Sequence, residues 1–390
     1  MKPVKKLLSA APARVAPDKT ADDGAYRILV FSDVHQRAGK GEKVTAFMAA
    51  ALKKYDGKIN MVVFTGDMMC QTACKTADSI RMAVQVILAP VKAAGVPFAL
   101  VFGNHDYGDV PAETKAILSK TDILQMYIAE GAGLCVNSMA TAYADKNGGI
   151  TNFGYPIKNA DGSTFAVLWF FDEGGNKPGA GGCRAVMRDQ LAVFKAGQAA
   201  QNYPQTFVFQ HIALAEVYSA MVKAPLFVQE WVTPKYGDQA YLKLAGLKMA
   251  GIMLEPPCPP CFSEGEYETL TEKGNVRAVF FGHDHVNDYI VRDKAAGFNM
   301  VNLPSAAWEI YGTFPLRGAT RITLTNDAVS GRVCYAKERY TYVQARFAKG
   351  AGVQRTVANA QDFFRGVFLV PFTRVWNLLV TPIRYFLTKT

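Results

Sequence analysis

The chain has 390 residues, half of them hydrophobic and 19% charged, which excludes an intrinsically disordered protein and allows a full core without disulfides. Its formal net charge of +10 sits at the ends: residues 1–20 carry a net +4, residues 337–390 a net +7, and residues 21–336 a net −1. A groove that tracks a phosphate backbone would carry its charge in the body, so no specific nucleic-acid binding is expected.

Residues 1–24 start basic, and their short apolar stretch is broken by Pro12 and Arg14, which reads as a disordered arm. Continuous apolar runs then mark strands at Tyr26–Phe31, Ile59–Thr65, Val96–Phe102, Thr164–Phe171, Thr206–Gln210 and Val276–Phe281. Helix-like stretches alternate with them at Lys43–Tyr55, Thr76–Ala94, Ala112–Met126, Arg184–Ala199 and Glu264–Lys273. Phe298–Leu303 and Ala319–Thr325 add late strands with little helix between them, which suggests an antiparallel finish. The alternation predicts an α/β body over residues 25–336, with helices outside the sheets. Within it, residues 212–262 are irregular and hold Pro256, Pro257, Pro259 and Pro260, as a long insertion over one face would. Residues 337–390 are set apart as a basic, aromatic tail.

Seven cysteines leave at least one without an intramolecular partner, and reduced thiols in an intracellular protein are the simplest expectation. Cys258-Pro259-Pro260-Cys261 has the spacing of a metal knuckle, but no second pair lies at a suitable distance, so a proline-stiffened loop is expected. Arg317 and Arg321 are expected in surface ion pairs. Trp308, Tyr311 and Phe314 are equally readable as pocket wall or core.

The chemistry lies in the histidines. There are only five, His35, His105, His211, His283 and His285, and each directly follows a strand-like run. Asp33, Asp67, Asn104 and Asp106 share those strand ends. Loops beyond the carboxyl ends of strands form the ligand crevice of open α/β sheets, so these groups can converge. In extended chain, residues two apart point the same way, which would pair Asp33 with His35 and His283 with His285. Imidazole mixed with oxygen ligands suits Zn, Mn or Fe and not Ca. Seven ligands are too many for one tetrahedral ion and suit two ions sharing a carboxylate, as used for in-line displacement at phosphorus.

In order along the chain, Asp33-Val34-His35, Gly66-Asp67, Gly103-Asn104-His105-Asp106, His211 and Gly282-His283-Asp284-His285 resemble the motif series of the calcineurin-like metallophosphoesterases. The resemblance spans roughly residues 26–325. It looks closest to the branch related to purple acid phosphatases, through GHDHVNDY (Gly282–Tyr289) and FDEGG (Phe171–Gly175). It implies a four-layer αββα sandwich of two mixed sheets. It also implies one metal on Asp33, His35, Asp67 and His285, and a second on Asp67, Asn104, His211 and His283, with Asp67 bridging. His105 would stand beside the ions and protonate the leaving oxygen. True purple acid phosphatases carry a Tyr ligand three residues after the bridging Asp; Cys70 stands there in this chain, so neither a ferric site nor a purple colour is assumed.

The expected activity is hydrolysis of phosphomonoesters by in-line attack of a metal-bridging hydroxide, with two divalent or mixed-valence ions (Mn, Fe or Zn) as cofactors. A phosphodiesterase using the same site is the alternative, and a non-catalytic scaffold recruited to membranes is a third reading. The tail stretch Phe363–Leu387 mixes aromatics, aliphatics and arginines, and its uncharged runs are too short to cross a bilayer. It reads as an anchor for an anionic membrane surface, or else as a segment docked on the body, giving an intracellular, peripherally membrane-associated protein.

Overall fold

Alternation along β1 (Tyr26–Phe31) sorts its side chains onto two faces: Tyr26, Ile28 and Val30 join one apolar cluster, and Leu29 and Phe31 another. The computed structural model describes residues 24–70, 73–108, 110–138, 148–175, 183–223, 241–243, 249–260, 262–349, 352–353, 357–372 and 375. Among them β1 runs parallel to β2 (Met61–Thr65), which runs parallel to β3 (Phe98–Val101). On the other side β13 (Gly318–Asn326) and β14 (Val333–Thr341) complete a mixed sheet by antiparallel pairing.

A second mixed sheet has the order β4 (Phe153–Lys158), β5 (Thr164–Phe170), β6 (Thr206–Phe209), β10 (Val276–Phe281), β12 (Phe298–Asn302), β11 (Asp288–Asp293) and β9 (Met249–Ile252). A short ribbon, β7 (Met221–Lys223) with β8 (Tyr241–Lys243), stands apart. The cluster holding Ile28 and Val30 also holds Leu168, Phe209 and Phe280, so it fills the space between the sheets. Leu29 and Phe31 face α1 (Glu42–Lys54) and α2 (Ala77–Ala94) through Phe47, Val84 and Ile87. The far face of the second sheet, with Val208 and Phe281, packs on α6 (Arg188–Ala200) and α7 (Glu266–Thr271) through Leu191, Phe194 and Leu270. The layers are therefore helix, sheet, sheet, helix.

Several elements differ from the sequence expectation. The stretch Ala112–Met126 is two helices, α4 (Ala112–Lys115) and α5 (Lys120–Glu130), following the single turn α3 (Asn104–Gly108). Ser119 forces the break: its hydroxyl accepts from Asp122 N, and the Asp122 carboxylate accepts from Ser119 N. The antiparallel finish holds for β13 and β14 and for β12 against β11, while β12 is parallel to β10 on its other side. Residues 212–262 are more than a covering: Ala213, Val217 and Met253 fill the outer cluster, and β9 extends the sheet beside β11.

The boundary drawn between Ala336 and Lys337 falls inside β14, whose polar inner face escaped notice as a strand. Lys337 and Arg339 from β14 both bind the buried Asp288 of β11, an ion triad that joins the two sheets. α8 (Tyr342–Phe347) follows, with Tyr342 stacked on Phe47.

The tail begins as a docked segment. Asp362, in α9 (Ala360–Phe364), is buried, accepts from Ala358 N at 2.9 Å and Phe314 N at 2.5 Å, and lies 3.6 Å from Arg317 Nη2. Arg317 is thus a core residue and not a surface one; it also donates to the Ala307 carbonyl. Arg321 does form the expected surface pair, with Glu338. A π-helical stretch (Arg365–Leu369) continues the segment, and Val370 packs against Ile252 and Leu316. Phe363, Phe364, Phe368 and Phe372 stay exposed. Most of the expected N-terminal arm, Cys261, and the tail from residue 376 lie outside the described residues. Among the described residues no helix is long and apolar enough to cross a membrane.

Candidate metal centre

The strands β1, β2 and β10 each end in a sharp curl. Asp33, His35, Asp67 and His283 all adopt positive φ, at 49°, 46°, 51° and 70°. This left-handed conformation is uncommon for residues with a Cβ and collects at functional sites. The extended-chain pairing predicted from residue spacing is therefore not how these side chains meet. Asp33, His35 and His285 place ligand atoms within 4.8 Å of one another, and Asp67, His211 and His283 do the same. His283 and His285 go to different sets, because the curl at His283 turns their side chains apart.

Asp67 links the sets. Its Oδ2 lies 3.2 Å from His211 Nε2 and 3.6 Å from His35 Nε2. Asn104 Oδ1 is 3.1 Å from His211 Nε2. His105 Nε2 stands back, 3.9 Å from Asp67 Oδ2, with its side chain partly exposed, while its backbone N–H donates to Asp67 Oδ1. Each expected ligand position thus lies in one neighbourhood at the carboxyl ends of the strands.

Surrounding groups fix the orientation of these side chains. His211 Nδ1 is 2.9 Å from the Thr65 carbonyl and His285 Nδ1 is 3.2 Å from the Tyr311 carbonyl. A carbonyl only accepts, so both Nδ1 atoms carry a proton, and both Nε2 atoms face the carboxylates. Asp33 accepts from the Ser32 hydroxyl and from His283 N. Asp106, a strand-end candidate, is a brace: its carboxylate accepts from Met68 N, Met69 N and Gly103 N. Glu173 braces His211 from behind through His211 N and Ile212 N.

Electrostatics suit metal ligation. Burial pushes His35 down to about 3, so its imidazole is neutral at pH 7. Burial opposes the charge on Asp67, but the histidines around it, His211 foremost, hold its carboxyl well below the usual range. Burial together with the Asp67 carboxylate raises Asp106 to about 7.

The residues fit a pair of cations. His35 Nε2 and Asp67 Oδ2 are buried without a hydrogen-bond partner, a situation that costs about 1–3 kcal/mol per group when nothing else satisfies it. Nitrogen and carboxylate donors of this kind suit borderline divalent ions. The backbone closes tightly behind them: a Cβ at Gly103 would collide with Asp67, and one at Gly282 with Ser32 and Asp33.

A cleft of about 500 Å³ opens over His35, His105, His283 and His285, with Arg37, Glu255 and Tyr311 in its wall. Tyr311 is therefore pocket wall, whereas Trp308 is buried in the helix-side cluster and Phe314 meets the tail through its backbone. Arg37 and Glu255 were not singled out from sequence. Arg37 carried a signal, two residues beyond His35; Glu255, far along the chain, carried none. Cys70 is buried and lines the cleft.

The sequence model of the family described as calcineurin-like phosphoesterase matches residues 26–287. The chain belongs to that family. Such enzymes generally use a dinuclear metal site, and the two sets are candidate ligand groups. A plant relative, "Probable inactive purple acid phosphatase 14" of Arabidopsis thaliana, is 23% identical over 74% of this chain and 72% of its own length. "Phosphatase DCR2" of Saccharomyces cerevisiae is 25% identical over 75% of this chain and 48% of its own. Among solved structures, a dimetal phosphatase from Danio rerio aligns with a TM-score of 0.50 at 12% identity, covering 81% of this chain and 99% of that one. That likeness concerns the fold.

Proposed function

We propose that this phosphoesterase hydrolyses phosphomonoesters with two metal ions, Mn, Fe or Zn. The first would be held by Asp33, His35, Asp67 and His285, the second by Asp67, Asn104, His211 and His283. The observation that carries the reading is Asp67 Oδ2, buried, without a hydrogen bond, and set between the two ligand sets beneath an open cleft. When bound, the ions would lower the pKa of a water and neutralise phosphoryl oxygens.

The chain's own groups account for the rest. Arg37, in the cleft wall, is suited to bind the non-reacting phosphoryl oxygens with its planar fork of donors. His105 reaches the cleft without joining either close set, a position suited to giving a proton to the leaving oxygen. Tyr311 offers a ring beside His285 against which a leaving group can pack. Three Arabidopsis relatives are named as probable inactive phosphatases, yet this chain keeps every ligand position of the motif series together with His105.

The test is hydrolysis of matched aryl phosphate monoester and diester substrates across Mn, Zn, Fe and Mg. Faster monoester turnover supports the proposal; faster diester turnover establishes the phosphodiesterase reading instead. No turnover with any metal would favour the non-catalytic scaffold.

A second observation bears on location. The docked segment of the tail turns Phe363, Phe364, Val367, Phe368 and Phe372 outward, while Arg365 lies over the Tyr311 ring at the cleft. Residues 363–390 carry four basic groups and no acidic one. We propose that this face rests on an anionic membrane surface, which would make the protein intracellular and peripherally membrane-associated.

A further inference from the structure

Two thiols lie beside the second ligand set. Cys183 comes from the loop between β5 and α6, and Cys258 from the proline-rich segment after β9; both are buried. One ligand atom each from Cys183, Cys258 and His283 falls within 4.8 Å of the other two. Cys183 Sγ is 3.6 Å from His283 Nε2.

The segment around Cys258 is fixed from two sides. Cys258 N donates to Asp284 Oδ2 at 3.3 Å, and the Tyr218 hydroxyl donates to the Pro257 carbonyl at 2.6 Å. Four prolines around Cys258 limit its backbone further. Glu255, Asp284 and Arg37 line the same cleft, so carboxyl oxygens also lie near the thiols. Two sulfurs and an imidazole at this separation are the donor set of borderline-soft cations, which prefer thiolate and nitrogen to oxygen.

We propose that Cys183, Cys258 and His283 form a further metal position that takes a thiophilic divalent cation such as Zn(II), in place of an ion on the Asp67–His211 set, because the single lone pair of a neutral His283 imidazole serves one ion at a time. Entry of the ion releases the two thiol protons to solvent, so both cysteines bind as thiolates and His283 contributes a nitrogen lone pair. The position gives the Cys258 loop a role that its spacing to Cys261 did not predict, since the partner of Cys258 is Cys183, 75 residues earlier in the chain. It goes beyond the phosphoesterase reading and uses neither Asp67 nor His211.

The test is titration of Co(II) into chelator-treated, full-length protein under reducing conditions, read as the near-ultraviolet charge-transfer absorption of Co(II)–thiolate. The band should develop in the wild-type protein and in Asp67→Asn. It should be lost in Cys183→Ser and in Cys258→Ser, and persist in Cys70→Ser and Cys135→Ser. A wild-type protein without the band, or a band that survives both Cys183→Ser and Cys258→Ser, would overturn the proposal. Should either variant fail to fold, alkylation of the wild-type protein gives the answer. Zn(II) should slow labelling of Cys183 and Cys258 and leave the exposed Cys334 unaffected; equal labelling with and without Zn(II) contradicts the proposal. Loss of all hydrolytic activity would leave the band in place, so the two readings fail separately.

Discussion

His285 Nδ1 lies 3.2 Å from the carbonyl oxygen of Tyr311, and the Tyr311 ring stacks on the same imidazole with centroids 4.3 Å apart. The contact that sets the tautomer is to backbone, while the stack comes from the side chain. Replacing Tyr311 by Ala should therefore weaken metal binding by about tenfold without abolishing it, the scale of losing one supporting contact. Tyr311→Phe, which keeps the stack, should bind metal like the wild type. Isothermal titration of the chelator-treated proteins with Mn(II) measures both; a loss of binding in Tyr311→Phe would show that the hydroxyl and not the ring matters.

His105 separates binding from chemistry. Its Nε2 lies outside both compact ligand sets, so His105→Ala should keep the wild-type metal content while slowing turnover by about 10²–10⁴-fold. The loss should shrink for esters with good leaving groups, which need little protonation. Elemental analysis showing that an ion departs with the imidazole would make His105 a ligand.

Asp288 gives a prediction about stability and pH. Burial opposes its charge, but Lys337 and Arg339 outweigh burial and hold its carboxyl below the ordinary value of 3.8. A carboxyl lowered on folding contributes stability above its unfolded pKa and loses it as pH falls through the folded one. Asp288→Asn should cost about 2 kcal/mol at pH 7, less than a wholly buried pair because Arg339 is partly exposed. In urea melts the gap between wild type and variant should close on acidification below about pH 4. A gap that stays constant down to pH 2 would assign the effect to packing.

The tail calls for two truncations and not one. Removing residues 362–390 would leave Arg317 buried without Asp362, and breaking a buried pair costs about 3–5 kcal/mol. Removing residues 376–390 spares that pair and should lower the melting temperature less than the longer truncation does. The membrane proposal is then tested on the exposed face: Phe364→Asp with Phe368→Asp should abolish sedimentation with anionic vesicles and leave turnover of a soluble ester intact. Unchanged sedimentation would place the face against something other than lipid.

The site was legible because each ligand follows a buried strand, and a strand buried on both faces is a continuous apolar run that ends where the polar ligand begins. Ile28–Phe31 before Asp33 and Val279–Phe281 before His283 show the pattern. What escaped has equally physical causes. β14 alternates exposed and half-buried residues over most of its length and carries Lys337, Glu338 and Arg339, so no apolar run marks it. β4 holds Pro156, tolerated because the strand lies at the sheet edge. Nothing in the sequence ties Asp362 to its partner Arg317, which is 45 residues away and is brought to it only by the fold. Arg37 and Cys183 belong to no regular element, and their positions follow from loop geometry that spacing does not encode.

The proposed phosphatase activity depends on two metal ions joined through Asp67. Its most direct test is to add Mn(II) stepwise to chelator-treated protein while following hydrolysis of an aryl phosphate monoester. Activity should be absent at the start, rise until two equivalents are bound, and stay near background throughout for Asp67→Asn. Full activity at one equivalent, or activity that persists through chelation and in Asp67→Asn, would contradict the account.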